Sequence, residues 1–96
     1  MSSSLISQLR RASVSIESCI AEGFSRYHFK DRLNFYYDSR GSIAEVQCQL
    51  IISKDLSYLN NNEFEVAYIK SQKVAIILSG LIKTTERLSK EKKKSA

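Results

Sequence analysis

The chain has 96 residues, 43% of them hydrophobic, and carries 15 Lys and Arg against 10 Asp and Glu, a net charge of +5. This length fits one domain, and the apolar fraction is too high for a disordered chain. No apolar run approaches the roughly 18 residues of a membrane span, and the N-terminus lacks a signal-peptide core. Cys19 and Cys48 form no CxxC pair, so we predict free thiols and a cytoplasmic location.

The first predicted helix covers residues 3–22, with Ser2, Ser3 or Ser4 as its N-cap. Its apolar residues recur at spacings of four and three, which is the period of a helix-bundle seam. Gly23 follows, and we predict that it ends the helix in the left-handed conformation. The seam consists of Leu5, Leu9, Ala12, Ile16 and Cys19.

The second predicted helix covers residues 29–58 and has two apolar stripes. One stripe is unusually small, because it contains Gly41, Ala44 and Cys48. A glycine inside a helix costs about 1 kcal/mol relative to alanine, so we expect another backbone to pack closely there as compensation. The other stripe consists of Leu33, Tyr36, Ile43, Gln47 and Leu50.

The third predicted helix covers residues 63–88 and follows an asparagine-rich loop. Asn62 and Glu65 have the spacing of a capping box. Residues 90–96 carry four Lys and one Glu, so we expect this end to fray into a flexible basic tail. No strand-like alternation occurs, and the predicted fold is an all-α antiparallel up-and-down bundle within residues 1–89. The predicted core stripe of this helix is Ala67, Val74, Ile77, Leu81 and Leu88, with Leu78 and Ile82 beside it.

Catalytic and metal-binding patterns are poor, so we expect neither an enzyme nor a cofactor or metal site. The only histidine, His28, has no metal-ligand partner at a suitable spacing. Glu22 and Glu45 are the one carboxylate pair worth considering, but two-metal bundles use Glu-x-x-His motifs, which are absent. We expect both glutamates to pair with Arg11, Arg40 or backbone amides.

Nucleic-acid binding is the function that the basic residues favour. Three cations around the connection between the first two helices are interleaved with aromatic rings. In this arrangement guanidinium groups can bind phosphates while the rings stack on bases. Excluding the tail, the net charge is only +2. For any single basic residue, the alternative to nucleic-acid binding is therefore a solvated side chain on a helix surface. The candidate nucleic-acid-binding residues are Arg10, Arg11, Arg26, Lys30, Arg32 and Arg40.

Two segments, Gln8–Gly23 and Arg40–Leu59, resemble one family in both sequence and spacing. They read QLRRASVSIESCIAEG and RGSIAEVQCQLIISKDLSYL, and they are similar to the bacterial proteins encoded by intervening sequences in 23S rRNA genes. The resemblance implies a four-helix-bundle fold, assembly as a ring that is often a pentamer, and a partner among ribosomal RNAs. It also implies a further amphipathic helix before the first segment, so we expect three helices of four here.

A core that lacks one helix leaves an apolar groove, which soluble monomers rarely expose. We therefore expect a homo-oligomer, with a pentamer favoured and an antiparallel dimer as the alternative. The predicted function is non-catalytic binding of structured RNA, with phosphates neutralised by the candidate residues and by the Lys90–Lys94 tail. The alternative is a protein-interaction adaptor whose groove accepts a partner helix.

Overall fold

Three helices make up the computed structural model, which describes residues 3–95. They are α1 (Ser3–Ser25), α2 (Phe29–Asp55) and α3 (Asn61–Ser95), and no strand occurs in this range. The predicted all-α antiparallel fold is confirmed. α2 is the central helix because it packs against both others, whereas α1 and α3 have no backbone contact with each other in the described residues.

Gly23 allows α1 and α2 to approach each other closely. It lies inside α1, two residues before the helix ends, and it is not in the left-handed conformation. A Cβ atom at this position would lie 2.7 Å from Tyr36 Cε1 and 2.9 Å from Phe35 Cβ. The prediction that Gly23 ends the helix with a positive φ is therefore wrong, because its missing side chain serves packing instead.

The small stripe of α2 is not packed within the chain. Gly41, Ala44 and Cys48 are exposed, and a Cβ atom at Gly41 would have no atom within 4 Å. Two helical steps of about 100° place Gly41 nearly opposite the buried Ile43. Since α1 and α3 both pack on the side of Ile43, the prediction of close backbone packing at Gly41 is wrong for the single chain.

The core lies along the side of α2 that faces both neighbours. One buried cluster joins all three helices, and Tyr36 at its centre is completely buried. On α3 the buried positions are Leu78, Ile82 and Thr85, while Ile77 is 71% exposed. The predicted core position at Ile77 is therefore wrong by one residue, because Leu78 is the buried residue there. The main cluster is Ile16, Tyr36, Ile43, Leu78 and Ile82, and a second consists of Leu5, Leu50 and Leu59.

The α2–α3 connection is built from standard backbone motifs. Ser57 has a φ of 62°, its N–H donates to the Lys54 carbonyl, and the Tyr58 N–H donates to the Ser53 carbonyl. This double pattern is a Schellman motif, which ends α2 three residues earlier than predicted.

The start of α3 has a reciprocal capping box. The Glu63 N–H donates to Asn60 Oδ1 at 2.8 Å, and the Asn60 N–H donates to Glu63 Oε1 at 3.0 Å. The predicted box between Asn62 and Glu65 is wrong by two residues. Because Asn60 is the N-cap, α3 begins at Asn61 rather than near residue 63.

The lysine-rich end of α3 is helical to Ser95, seven residues beyond the predicted helix end at Leu88. Its residues are good helix formers, and the segment has no Pro or Gly to end the helix. Arg87 and Glu91 form an i,i+4 ion pair of 3.1 Å. Lysines in the last turn also complement the helix dipole.

An apolar groove of about 320 Å³ lies between α1 and α3, above α2. Ile43, Val46 and Leu50 form its floor, and the charged side chains at its edges are Glu17 and Lys70. The groove exists because the two outer helices do not close over the central one. Across residues 3–95, no helix is both long and apolar enough to cross a membrane.

Candidate nucleic-acid interface

The α1–α2 connection, residues 26–28, has little backbone capping. His28 is the N-cap of α2, but its side chain makes no capping hydrogen bond. The Arg26 N–H donates to the Gly23 carbonyl at 3.2 Å, and the Arg32 N–H donates to the His28 carbonyl at 3.1 Å. The conformation of this connection therefore depends on its side chains.

Arg26 packs against an aromatic ring and forms a local ion pair. Its guanidinium carbon lies 4.9 Å from the centre of the Phe35 ring, and its Nη2 lies 3.2 Å from Glu22 Oε2. Both groups of the ion pair are about half exposed, so it contributes little stability. The sequence predicts Arg11, Arg40 or a backbone amide as the partner of Glu22, whereas the structure pairs it with Arg26, one helical turn away.

Arg32 lies between two other rings. Its guanidinium carbon is 6.0 Å from the centre of the Phe24 ring and 5.4 Å from that of Phe29. Its Nε donates a hydrogen bond to the Arg26 carbonyl, which joins the first turn of α2 to the connection. Burial raises the pKa of the Tyr36 hydroxyl below this layer, and the positive charge of Arg32 opposes that shift.

Lys92 brings the end of α3 to the same place. Its Nζ lies 5.3 Å from the centre of the Tyr27 ring and 5.8 Å from that of Phe29, so all three helices contribute to one cluster of cations and rings. We name it the turn cluster, and its members are Phe24, Arg26, Tyr27, Phe29, Arg32, Phe35 and Lys92.

Two rings of the turn cluster are largely open to solvent. The exposed fraction is 80% for Tyr27 and 65% for Phe24. The Tyr27 ring stands edge-on to His28, with centroids 5.1 Å apart and planes at 87°. Lys92 therefore covers only a small part of the Tyr27 ring, and a flat partner has access to it.

The predicted residues do not form one continuous surface. Arg26, Lys30 and Arg32 come together at the α1–α2 connection, where Lys30 is exposed in the first turn of α2. Arg10 and Arg11 are also exposed, but they lie about 24 Å away along α1. Neither arginine has an ion pair with another residue of the described chain.

Arg40 belongs to a separate polar contact between α2 and α3. Its guanidinium carbon lies 5.0 Å from the centre of the Tyr37 ring, and the Tyr37 hydroxyl donates to Glu86 Oε2 at 3.0 Å. That hydrogen bond, followed by burial and the charge of Glu86, raises the pKa of Tyr37, and Arg40 opposes the shift. Arg40 therefore contacts a ring of its own helix and adds positive charge beside the hydrogen bond that joins α2 to α3.

Lys92 is the contributor whose position the sequence prediction missed, because residues 90–96 were interpreted as a flexible tail. Two signals were available: the absence of any helix-ending residue after Gly80 and the i,i+4 spacing of Arg87 and Glu91. Each full turn of helix advances the chain about 5.4 Å. Continuing α3 by about one turn beyond Leu88 is what brings Lys92 to the turn cluster.

Carboxylates and cysteines do not add a second kind of site to the described residues. Residues 3–95 contain no group of three His, Cys, Asp or Glu side chains that could hold a metal ion. Glu45 is exposed and makes no ion pair within that range, although the sequence predicts Arg11, Arg40 or a backbone amide as its partner. Cys19 and Cys48 are free thiols.

Fold and surface together define a small all-α bundle protein with a cation–aromatic cluster at one end. The chain matches the family model of the 23S rRNA-intervening sequence protein over residues 2–80, and it belongs to that family. The matched range contains α1, α2 and more than half of α3, while Lys92 lies outside it. No curated protein and no solved structure matches the chain.

Proposed function

We propose that this protein is a non-catalytic, cytoplasmic RNA-binding protein whose partner is ribosomal RNA that carries or adjoins an intervening sequence. The observation that supports this most directly is the turn cluster, where cations from the α1–α2 connection, α2 and α3 meet beside aromatic rings, two of them largely exposed. The family's description names 23S rRNA, which gives the RNA class.

Phosphate neutralisation supplies most of the affinity in this proposal. Lys30, Arg10 and Arg11 are exposed cations that can turn toward a backbone without losing an ion pair. Arg26 and Arg32 stay over their rings and can still donate to phosphate, because a guanidinium has five N–H donors. Contacts of this kind position an RNA but carry little sequence information.

Homo-oligomerisation, with a pentamer favoured over a dimer, is the second part of the proposal. The chain exposes 6844 Å², whereas a compact monomer of 10.9 kDa exposes about 5,600 Å². The excess is larger than the roughly 800 Å² that each partner buries in a standard interface. Repeating one basic end around a ring would multiply a modest charge per subunit.

A protein-interaction adaptor is the competing function, and the groove between α1 and α3 supports it. Its apolar floor and open top suit an amphipathic partner helix. Val74 lines the groove and is partly exposed, so Val74→Asp should abolish such binding and leave RNA binding unchanged. The exposed Ile77 does not line the groove.

The test is light-scattering mass after size exclusion, with and without a ribosomal RNA fragment that contains the insertion. We expect an oligomer that comigrates with RNA at about 0.1 M salt and releases it as salt rises. Lys30→Gln combined with Lys92→Gln should make the salt dependence shallower. The matched control is Lys73→Gln with Lys83→Gln, which removes the same charge from two other exposed positions.

Three outcomes contradict the proposal in different ways. A monomer would overturn the oligomeric part, and an oligomer that ignores RNA at every salt concentration would favour the adaptor. Equal weakening by the two double variants would show that only net charge matters, so the turn cluster would not be the RNA-binding surface.

A further inference from the structure

We infer that the turn cluster is a binding site for unpaired nucleotides, in which a base stacks on Tyr27 and the neighbouring lysines bind the phosphates. This inference rests on the proposed RNA-binding function and deepens it. The proposed function requires only the phosphate backbone of a structured RNA. The inference adds that the protein binds bases that are not paired in a helix.

The first argument is that two guanidinium groups of the cluster already have partners. Arg26 has Glu22 and the Phe35 ring, and Arg32 has the Arg26 carbonyl and two rings. Their side chains hold the connection in one shape. Besides the guanidinium N–H donors that remain, this end therefore offers a ligand aromatic surface and lysine ammonium groups without rearrangement.

The second argument comes from the exposed Tyr27 ring. A tyrosine that serves packing is normally buried for most of its area, as Tyr36 is, yet Tyr27 is 80% exposed. The ring contacts His28 edge-on and lies beneath the ammonium group of Lys92, and both contacts favour one orientation of its plane. A ring that is open and already oriented loses little conformational entropy when a flat ligand stacks on it.

The third argument is the match between this surface and a nucleotide. A base is planar and stacks on an aromatic ring whatever its sequence, and the phosphates on either side of it need cations nearby. Lys92 is at the Tyr27 ring, and Lys30 and Lys93 are exposed close by in sequence to cluster members. A paired base has both faces covered by its neighbours in the helix, so the ligand must be unpaired.

The experiment compares a labelled single-stranded RNA of about ten nucleotides with a duplex of the same sequence, using the full chain. Tyr27→Ala should weaken single-strand binding about tenfold or more, the loss expected from removing one stack. Tyr27→Leu should weaken it similarly because bulk without a ring does not stack, whereas Tyr27→Phe should retain wild-type affinity. The matched control is Tyr58→Ala, which removes an exposed tyrosine from the other connection.

Salt dependence separates stacking from charge. Tyr27→Ala should lower the affinity without changing the slope of log K against log salt. Lys92→Gln should make that slope shallower by about 0.7, the value for one phosphate contact on a single strand. The two variants thus distinguish the role of the ring from that of the ammonium group beside it.

Failure of the inference can be distinguished from failure of the function. If wild-type protein binds RNA but Tyr27→Ala binds as tightly, or if duplex and single strand bind equally, stacking is excluded and phosphate binding stands. If the wild-type protein binds neither RNA, the proposed function and this inference are both overturned.

Discussion

The two connections between helices achieve the same chain reversal by different means. The α2–α3 connection uses backbone rules, with a Schellman motif at Ser57 and a capping box between Asn60 and Glu63. The α1–α2 connection has no side-chain cap at His28 and is held by cations lying over rings.

The difference is the reason that we propose the α1–α2 end, and not the α2–α3 end, as the binding surface. In the α2–α3 connection, backbone groups find hydrogen-bond partners within the Schellman motif and the capping box. This connection therefore does not need cation–ring contacts to hold its shape. At the α1–α2 connection, Phe24 and Tyr27 stay exposed although burying either ring would stabilise the chain. The α2–α3 connection also exposes apolar side chains, such as Tyr58, so the α1–α2 end is distinguished by the number of cations that lie over its rings.

Gly23→Ala should have the largest effect, because the α1–α2 end depends on this close approach. The added Cβ would meet Tyr36 Cε1 at 2.7 Å and Phe35 Cβ at 2.9 Å, and neither is the end of a flexible chain. We expect a loss of about 2 kcal/mol in the free energy of unfolding, measured by urea denaturation followed by helical circular dichroism.

Gly41→Ala is the matched control for that change. A Cβ atom at Gly41 meets no atom within 4 Å, so higher helix propensity should stabilise the chain by about 0.5 to 1 kcal/mol. If Gly41→Ala destabilises the assembled protein instead, the small stripe of α2 packs against another chain.

Asn60→Ala tests the backbone rules at the α2–α3 end. It removes the acceptor for the Glu63 N–H, and the loss of an N-cap costs about 1 kcal/mol. The same denaturation experiment measures it. Asn62→Ala is the control, since Asn62 lies inside α3 and should change the free energy of unfolding by no more than about 0.5 kcal/mol. Equal losses from the two changes would show that Asn60 is not the cap.

Ser57→Gly should stabilise the protein by about 0.7 kcal/mol. Ser57 has a φ of 62°, a conformation that costs a residue with a Cβ more than it costs glycine. Thermal unfolding should show a higher midpoint than for wild type. Ser25→Gly, within the last turn of α1, should not be stabilising, and a gain there would mean that the two helix ends are alike.

The fold was readable from the sequence because its main signals are local. Long amphipathic segments without Pro, with an asparagine loop between two of them, indicate helices whatever the tertiary structure. The prediction of close packing at Gly41 and of a helix end at Gly23 is wrong for both, because the close approach occurs at Gly23 and Gly41 is open to solvent. A glycine can either end a helix or allow another helix to approach closely. The sequence alone does not show which, because that depends on how α2 packs against α1.

The candidate site was predictable in part. Arg26, Lys30 and Arg32 are neighbours in sequence, so their meeting at one end required no knowledge of packing. Lys92 is 60 residues beyond Arg32, and its contact depends on the length and direction of α3. Arg10 and Arg11 illustrate the opposite error, since a shared charge does not place residues on a shared surface.

The smallest change in the free energy of unfolding is expected at Tyr37, whose hydroxyl donates a hydrogen bond from α2 to Glu86 on α3. Tyr37→Phe removes the hydrogen bond to Glu86 and should cost about 0.5 kcal/mol near neutral pH. The folded-state pKa of Tyr37 is raised above its ordinary value of 10.0, mainly by this hydrogen bond.

A raised pKa means that the stabilisation is complete below pH 10.0 and is lost as pH rises through the folded-state value. The free energies of unfolding of wild type and Tyr37→Phe should therefore differ at about pH 8 and converge as the pH rises through the folded-state pKa of Tyr37. Glu86→Gln keeps an acceptor without its charge, so it should weaken the pH dependence and retain most of the stability at pH 8. A difference between wild type and Tyr37→Phe that persists unchanged to high pH would show that Tyr37 acts by packing alone. In that case the packing of the Tyr37 ring, and not its hydrogen bond to the Glu86 carboxylate, would join α2 to α3.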